Sequence, residues 1–173
     1  MATEGWKARA IFHFILPCSN VERSMEFYGL FGFEMIKDNR NVAWPAYVGE
    51  NFNMVSGAQG KAVQLVLPHG GELQTRIDLI EWLKPKWRNL YLDLPPEENN
   101  PRVMALVVEN IAAAAADLQA KGLVPTRPLR PPDPKIGVQG VVCFEDPDGH
   151  IVELIEYFPG QLGSRTDELE TLS

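Results

Sequence analysis

Three polar side chains stand at positions where the surrounding pattern calls for apolar ones: His13 in "AIFHFIL", Asp78 in "RIDLIEW" and Glu153 in "HIVELIEY". Side chains alternate across a strand, so His13 shares a face with Ile11 and Ile15, Asp78 with Ile80 and Trp82, and Glu153 with Ile151, Ile155 and Tyr157. A carboxylate among apolar neighbours carries a heavy desolvation cost unless a cation or hydrogen-bond donors compensate it. A metal ion is one way to compensate several such groups together, and acid–base work in a cavity is another. The plain alternatives are a hydrogen-bonded core histidine and carboxylates facing solvent at strand ends. Glu81 and Glu156, each three residues after its partner, are expected near strand ends and solvated.

The elements that would position these groups occur twice. Residues 9–16, "RAIFHFIL", read as a strand ended by Pro17, and Asn20 offers an N-cap to a helix over "VERSMEFYGLF" with Val21, Ser24, Met25 and Tyr28 on one face. Gly32 closes that helix, "FEMIKDN" begins a second strand, and "AVQLVLPHGGELQTRIDLIEWL" reads as two strands around a Gly-Gly turn. The stretch 39–60 suggests no element. In the second half, "VMALVVEN" is a strand ending in the N-cap Asn110, "IAAAAADLQAKG" a helix stopped by Gly122, and "VPTRPLR" an edge segment whose prolines bar a central place. "GVVCFE" and "HIVELIEY" are strands joined by the Asp-Gly turn of "DPDG".

Asn20 and Asn110 are 90 residues apart, as are Gly32 and Gly122, while Asp78 and Glu153 are 75 apart because the second middle is shorter. An internal duplication follows: module one, 8–92, and module two, 101–158, joined by "DLPPEENNPR" and followed by a polar tail, 159–173. Neither half has much core alone, so a single shared sheet is expected.

With 173 residues, 45% hydrophobic and 23% charged, the chain has ordinary globular composition. A formal charge of −7 without a Lys/Arg cluster argues against a nucleic-acid surface. No run is long enough to span a bilayer, "MATEGWKARA" lacks signal-peptide character, and Cys18 and Cys143 read as reduced thiols, so a cytoplasmic protein is expected.

The stretch from His13 through "NVERSMEFYGLFGFE", with "FEDPDGHIVELIEY", resembles the vicinal oxygen chelate superfamily, which includes glyoxalase I, methylmalonyl-CoA epimerase, extradiol dioxygenases, fosfomycin-resistance enzymes and bleomycin-resistance proteins. The resemblance covers about residues 9 to 158 and implies an α+β fold of two βαβββ modules in a glyoxalase-like open barrel with helices outside. It implies a metal held by His13, Asp78 and Glu153. The fourth usual ligand position falls on Val103, which cannot donate, yet three ligands plus water suffice for a catalytic site. One imidazole and two carboxylates suit Zn, Ni, Mn or Fe without selecting among them, and depart from the two-histidine set of extradiol dioxygenases. His69 and His150 adjoin turns and are expected away from the site.

The resemblance implies a glyoxalase-like lyase or isomerase moving a proton on a small oxygenated substrate by isomerisation, epimerisation or elimination, with Glu153 or Asp78 as base. The alternative is a metal-free pocket that sequesters an apolar or aromatic molecule, lined by residues such as Trp44 and Trp82, or a metal-free acid–base enzyme. Arg127 or Arg130 could approach an anionic substrate or remain solvated loop residues. Superfamily modules often pair across chains, which implies a homodimer.

Overall fold

The structure, a computed structural model, describes residue 8 and residues 10–68, 74–90, 92, 94, 95, 97, 98 and 100–162. The Gly-Gly turn with His69 and most of the polar tail lie outside the described residues, as do parts of the linker. The chain divides into two compact units, Met1–Leu92 and Asp93–Ser173.

In unit one, strand β1 (His13–Pro17) is followed by helix α1 (Val21–Gly29), β2 (Glu34–Asp38), a short helix α2 (Ala46–Asn51), β3 (Gln59–Val66) and β4 (Arg76–Lys84). The sheet order is β1-β4-β3-β2, with β1 parallel to β4 and the other pairs antiparallel. Asn20 caps α1 as expected, its side chain accepting from the Arg23 N–H at 2.8 Å. The buried face is Val21, Ser24, Phe27 and Tyr28; Phe27 takes the place expected of Met25, which is half-buried. Helix α2 fills the stretch that suggested no element. Its Gly49 is fixed by space: a Cβ there would lie 2.7 Å from the Ala58 Cβ and 2.8 Å from the Val55 carbonyl.

Unit two contains β5 (Arg102–Val107), α3 (Ile111–Ala120), β6 (Val138–Glu145) and β7 (His150–Tyr157), in sheet order β5-β7-β6 with β5 parallel to β7. Its expected second strand does not form continuously. Pro125, Arg130 and Asp133 instead make isolated bridges to β6, because the intervening prolines have no N–H to donate. Strand pairing among the described residues stays within each unit, so the expected single shared sheet is two.

Strand alternation gives each sheet a helix-covered face. On β4, Ile77, Leu79 and Glu81 share the face packed by α1, and Arg76, Asp78, Ile80 and Trp82 share the other. Glu81 is not simply solvated: its Oε2 accepts from the Val21 N–H at 3.2 Å, at the start of α1, and lies 3.7 Å from Lys61 Nζ. Glu156 does the same in unit two with both oxygens, accepting from the Asn110 N–H at 3.0 Å and the Ile111 N–H at 2.9 Å. The expectation for these two carboxylates is corrected. A helix start leaves N–H groups unpaired and carries partial positive charge, and the second carboxylate of each repeat answers both needs.

Candidate functional site

His13 opens β1, and parallel pairing sets its Cα beside Arg76 and that of Ile15 beside Asp78. His13 and Asp78 therefore meet on the face turned away from α1, with His13 Nδ1 3.5 Å from Asp78 Oδ2. Their side chains are 33% and 13% exposed, so both are largely withdrawn from water while His13 keeps an open edge. Gln64, the β3 neighbour of Asp78, donates from Nε2 to Asp78 Oδ2 at 3.2 Å. The Arg76 guanidinium donates weakly to Gln64 Oε1 at 3.5 Å and lies over the Phe12 ring, 4.4 Å from its centroid. The pair thus becomes a row: Arg76, Gln64, Asp78, His13.

Three atoms in this row are buried without a hydrogen-bond partner, His13 Nδ1, Asp78 Oδ1 and Arg76 Nε. An imidazole nitrogen and a carboxylate oxygen left orphaned side by side are what a cation or a transferable proton would satisfy. The unit-one half of the expected ligand set therefore fits a divalent ion. Among the described residues, no group of three or more His, Cys, Asp and Glu is assembled for a metal.

Further along the same face lies an aromatic bank. Ala58, Ala62, Ile80 and Trp82 are buried together, with Ile15, Trp44, Met54 and Trp87 packed against them. Trp44 and Trp82 meet edge to face at 5.2 Å, and the Gln59 side-chain amide pins the Trp44 backbone through two 2.9 Å bonds. Both tryptophans are core residues of unit one, with Trp44 partly open.

In unit two, Glu153 sits mid-strand on β7 between Ala105 of β5 and Cys143 of β6. It is half-buried, on the face of Ile151, Ile155 and Tyr157 and opposite the buried His150, Val152 and Leu154. Val103 lies on that face at the sheet edge, 53% exposed. His150 is walled into the hairpin, where Asp146 Oδ1 accepts from its backbone N–H at 2.7 Å. Arg127 is exposed; Arg130 pairs with Asp133 at 3.2 Å and lines a surface cleft of about 430 Å³ with Ile111, Leu129 and Pro131.

Burial, and secondarily the Glu153 charge, push the Cys143 thiol above its ordinary range. Replacing Glu153 with glutamine should lower it and raise the thiolate fraction, so alkylation by iodoacetamide near neutral pH is expected to quicken a few-fold, on the order of what a fraction of a pKa unit gives. Cys18 is buried and should not compete. An unchanged rate at Cys143 would mean that the two side chains do not feel each other.

Sequence reasoning missed Arg76 and Gln64. Alternation along "RIDLIEW" already places Arg76 on the face of Asp78; the place of Gln64 required the β3–β4 register.

Residues 10–154 match the model of the Glyoxalase/Bleomycin resistance protein/Dioxygenase superfamily, and the chain belongs to that superfamily. Its fold is the superfamily's α+β arrangement of two small mixed sheets, neither of them closed. A glyoxalase family protein from Bacillus cereus superposes with a TM-score of 0.73 at 15% identity, covering 91% of this chain and 99% of that one. TnmS3, an antibiotic binding protein from Streptomyces sp. CB03234, gives 0.58 at 22% identity, covering 88% and 98%. A variant of the fosfomycin resistance protein FosX from Listeria monocytogenes, complexed with Mn(II) and 1S,2S-dihydroxypropylphosphonic acid, gives 0.58 at 16% identity, covering 92% and 100%. No curated protein sequence matches significantly. Among the described residues, no helix is long and apolar enough to cross a membrane.

Proposed function

We propose that the protein is a glyoxalase-type enzyme that moves a proton on a small oxygenated substrate, with His13 and Asp78 at the reacting centre. The observation that carries this reading is the pair of orphaned, buried atoms, His13 Nδ1 and Asp78 Oδ1, on a face with an aromatic wall. The large majority of polar atoms in a stability-driven core are paired. His13, Asp78 and Glu153 would hold a divalent ion, which when bound would polarise substrate oxygens and make an adjacent C–H more acidic. Gln64 tethers one Asp78 oxygen, which orients the carboxylate and leaves Oδ1 turned to accept a proton. The low exposure of Asp78 keeps water from competing for that proton. The manganese complex of FosX supports the metal part by analogy of fold alone.

Metal content of protein purified without chelator tests the reading, beside His13→Ala and Glu153→Gln. Near-stoichiometric metal in the wild type and its loss in both variants is the expected result, with proton exchange on small carbonyl compounds screened next. Protein that stays metal-free after supplementation with Mn²⁺, Fe²⁺, Ni²⁺ and Zn²⁺ would sink the metal part.

A second reading rests on Val103 at a usual ligand position and on the aromatic bank: a metal-free pocket that holds an apolar or aromatic molecule, as TnmS3 is described to bind an antibiotic. Saturable quenching of tryptophan fluorescence by such compounds, in protein without metal, would favour it.

A further inference from the structure

The arginine of the polar row remains unexplained by the pair it accompanies. Arg76 is half-buried, and the only polar or ring interactions of its side chain among the described residues are the 3.5 Å bond to Gln64 Oε1 and the Phe12 ring. No carboxylate among the described residues comes within ion-pair distance of it, Asp78 included, although Asp78 is two residues along on the same face. Its Nε is buried and has no partner. A buried donor left unmade costs stability, more so when it belongs to a charged group. The guanidinium is nonetheless held in place, its central carbon over the Phe12 ring in a cation–π contact and one edge tied to the amide that also orients Asp78. A planar fork of donors, oriented in advance and lacking a protein anion, matches an oxyanion in geometry and charge.

We infer that Arg76 binds the anionic group, a carboxylate or a phosphate-like oxyanion, of the substrate whose reacting carbon lies at His13 and Asp78. This rests on the reading of that pair as the reacting centre and adds a substrate class to it. Two residues along one strand face separate Arg76 from Asp78, which is about 7 Å at ~3.3 Å per residue. That span fits a short acid with its reacting carbon a few bonds from the anion. Asp78 repels a second negative charge, so only the end of the substrate beside Arg76 can carry one. The equivalent place in unit two, 75 residues on, is Ile151, so the duplication did not supply this group and it belongs to unit one alone.

Arginine Nε–H resonances, followed by NMR while inorganic phosphate or acetate is titrated against chloride at constant ionic strength, test the inference. One resonance, identified as Arg76 by its disappearance in Arg76→Gln, should shift saturably with at least one probe. Binding should weaken about tenfold or more in Arg76→Gln. Arg76→Lys keeps the charge but loses the fork, and should fall between. Asp78→Asn removes the neighbouring negative charge and should tighten binding several-fold. Resonances of all arginines drifting together without saturation, or equal binding by Arg76→Gln, would overturn the inference. Metal content measured on the same samples separates the two ideas: metal-loaded protein that ignores both anions sinks only this one, whereas metal-free protein that binds an anion through Arg76 supports it and sinks the metal part of the proposed function.

Discussion

Asp78→Asn is expected to leave the protein at least as stable as the wild type while costing it its chemistry. Asparagine has nearly the volume of aspartate, and its carbonyl oxygen, in the place of Oδ2, can still accept from Gln64. The substitution also removes a buried charge that, among the described residues, meets no cation within ion-pair distance except an imidazole at 3.5 Å. An unchanged melting temperature or a rise of about 2–4 °C, equivalent to ~1 kcal/mol at this chain length, is the expected outcome of a thermal scan. Affinity for a divalent ion should fall by about a hundredfold or more, since losing even a group behind the ligands costs ~10–100-fold. Such a split marks a residue kept for function against stability. A melting temperature several degrees lower would show that the Asp78 charge holds the fold, and would remove the orphaned atoms as an argument for chemistry.

Glu156→Ala should produce the largest stability loss of any exposed or half-exposed carboxylate in the protein, about 3 kcal/mol. Two backbone N–H groups at the start of α3 donate to it, and hydrogen bonds to charged groups are worth ~1.5–3 kcal/mol each before the surroundings relax. Glu81→Ala removes one longer bond and a loose lysine contact, so a loss of about 1–1.5 kcal/mol is expected there. The backbone agrees with this ranking. Asn110 adopts a left-handed conformation at φ 56° and turns its own N–H to Glu156, whereas Asn20 stays extended at φ −154°. Asparagine tolerates that region better than most residues. Denaturant unfolding of the two variants and the wild type checks the order; equal losses, or a greater one at Glu81, would show that the carboxylates do not work through these bonds.

The repeat was legible because caps and stops are local chemistry: Asn20, Asn110, Gly32 and Gly122 announce themselves within a few residues. The face shared by Asp78, Ile80 and Trp82 was legible too, since alternation needs no knowledge of partners. What the sequence hid was set by distant chain. Gln64 reaches Asp78 only through a register fourteen residues long. Glu81 and Glu156 look like ordinary strand-end carboxylates until the helix they serve is seen on the opposite face from Asp78 and Glu153. The odd spacing of three in "DLIE" and "ELIE" was the available signal, because on a strand it sends the two carboxylates to opposite sides. Helix α2 was hidden for another reason: with Pro45 as N-cap, no side chain caps it, and its one buried residue is a glycine.

The carboxylate at each helix start also bears on the order of events at the ribosome. Val21 leaves the exit tunnel 60 residues before Glu81, and Ile111 45 residues before Glu156. At ~5–20 residues per second, the first helix must wait about 3–12 s for the group that completes it. A nine-residue segment is too short to hold its shape alone over that interval. Each module therefore becomes whole only when its last strand emerges, and a nascent chain stalled just before residue 76 should expose the apolar side of α1 to whatever chaperone is near.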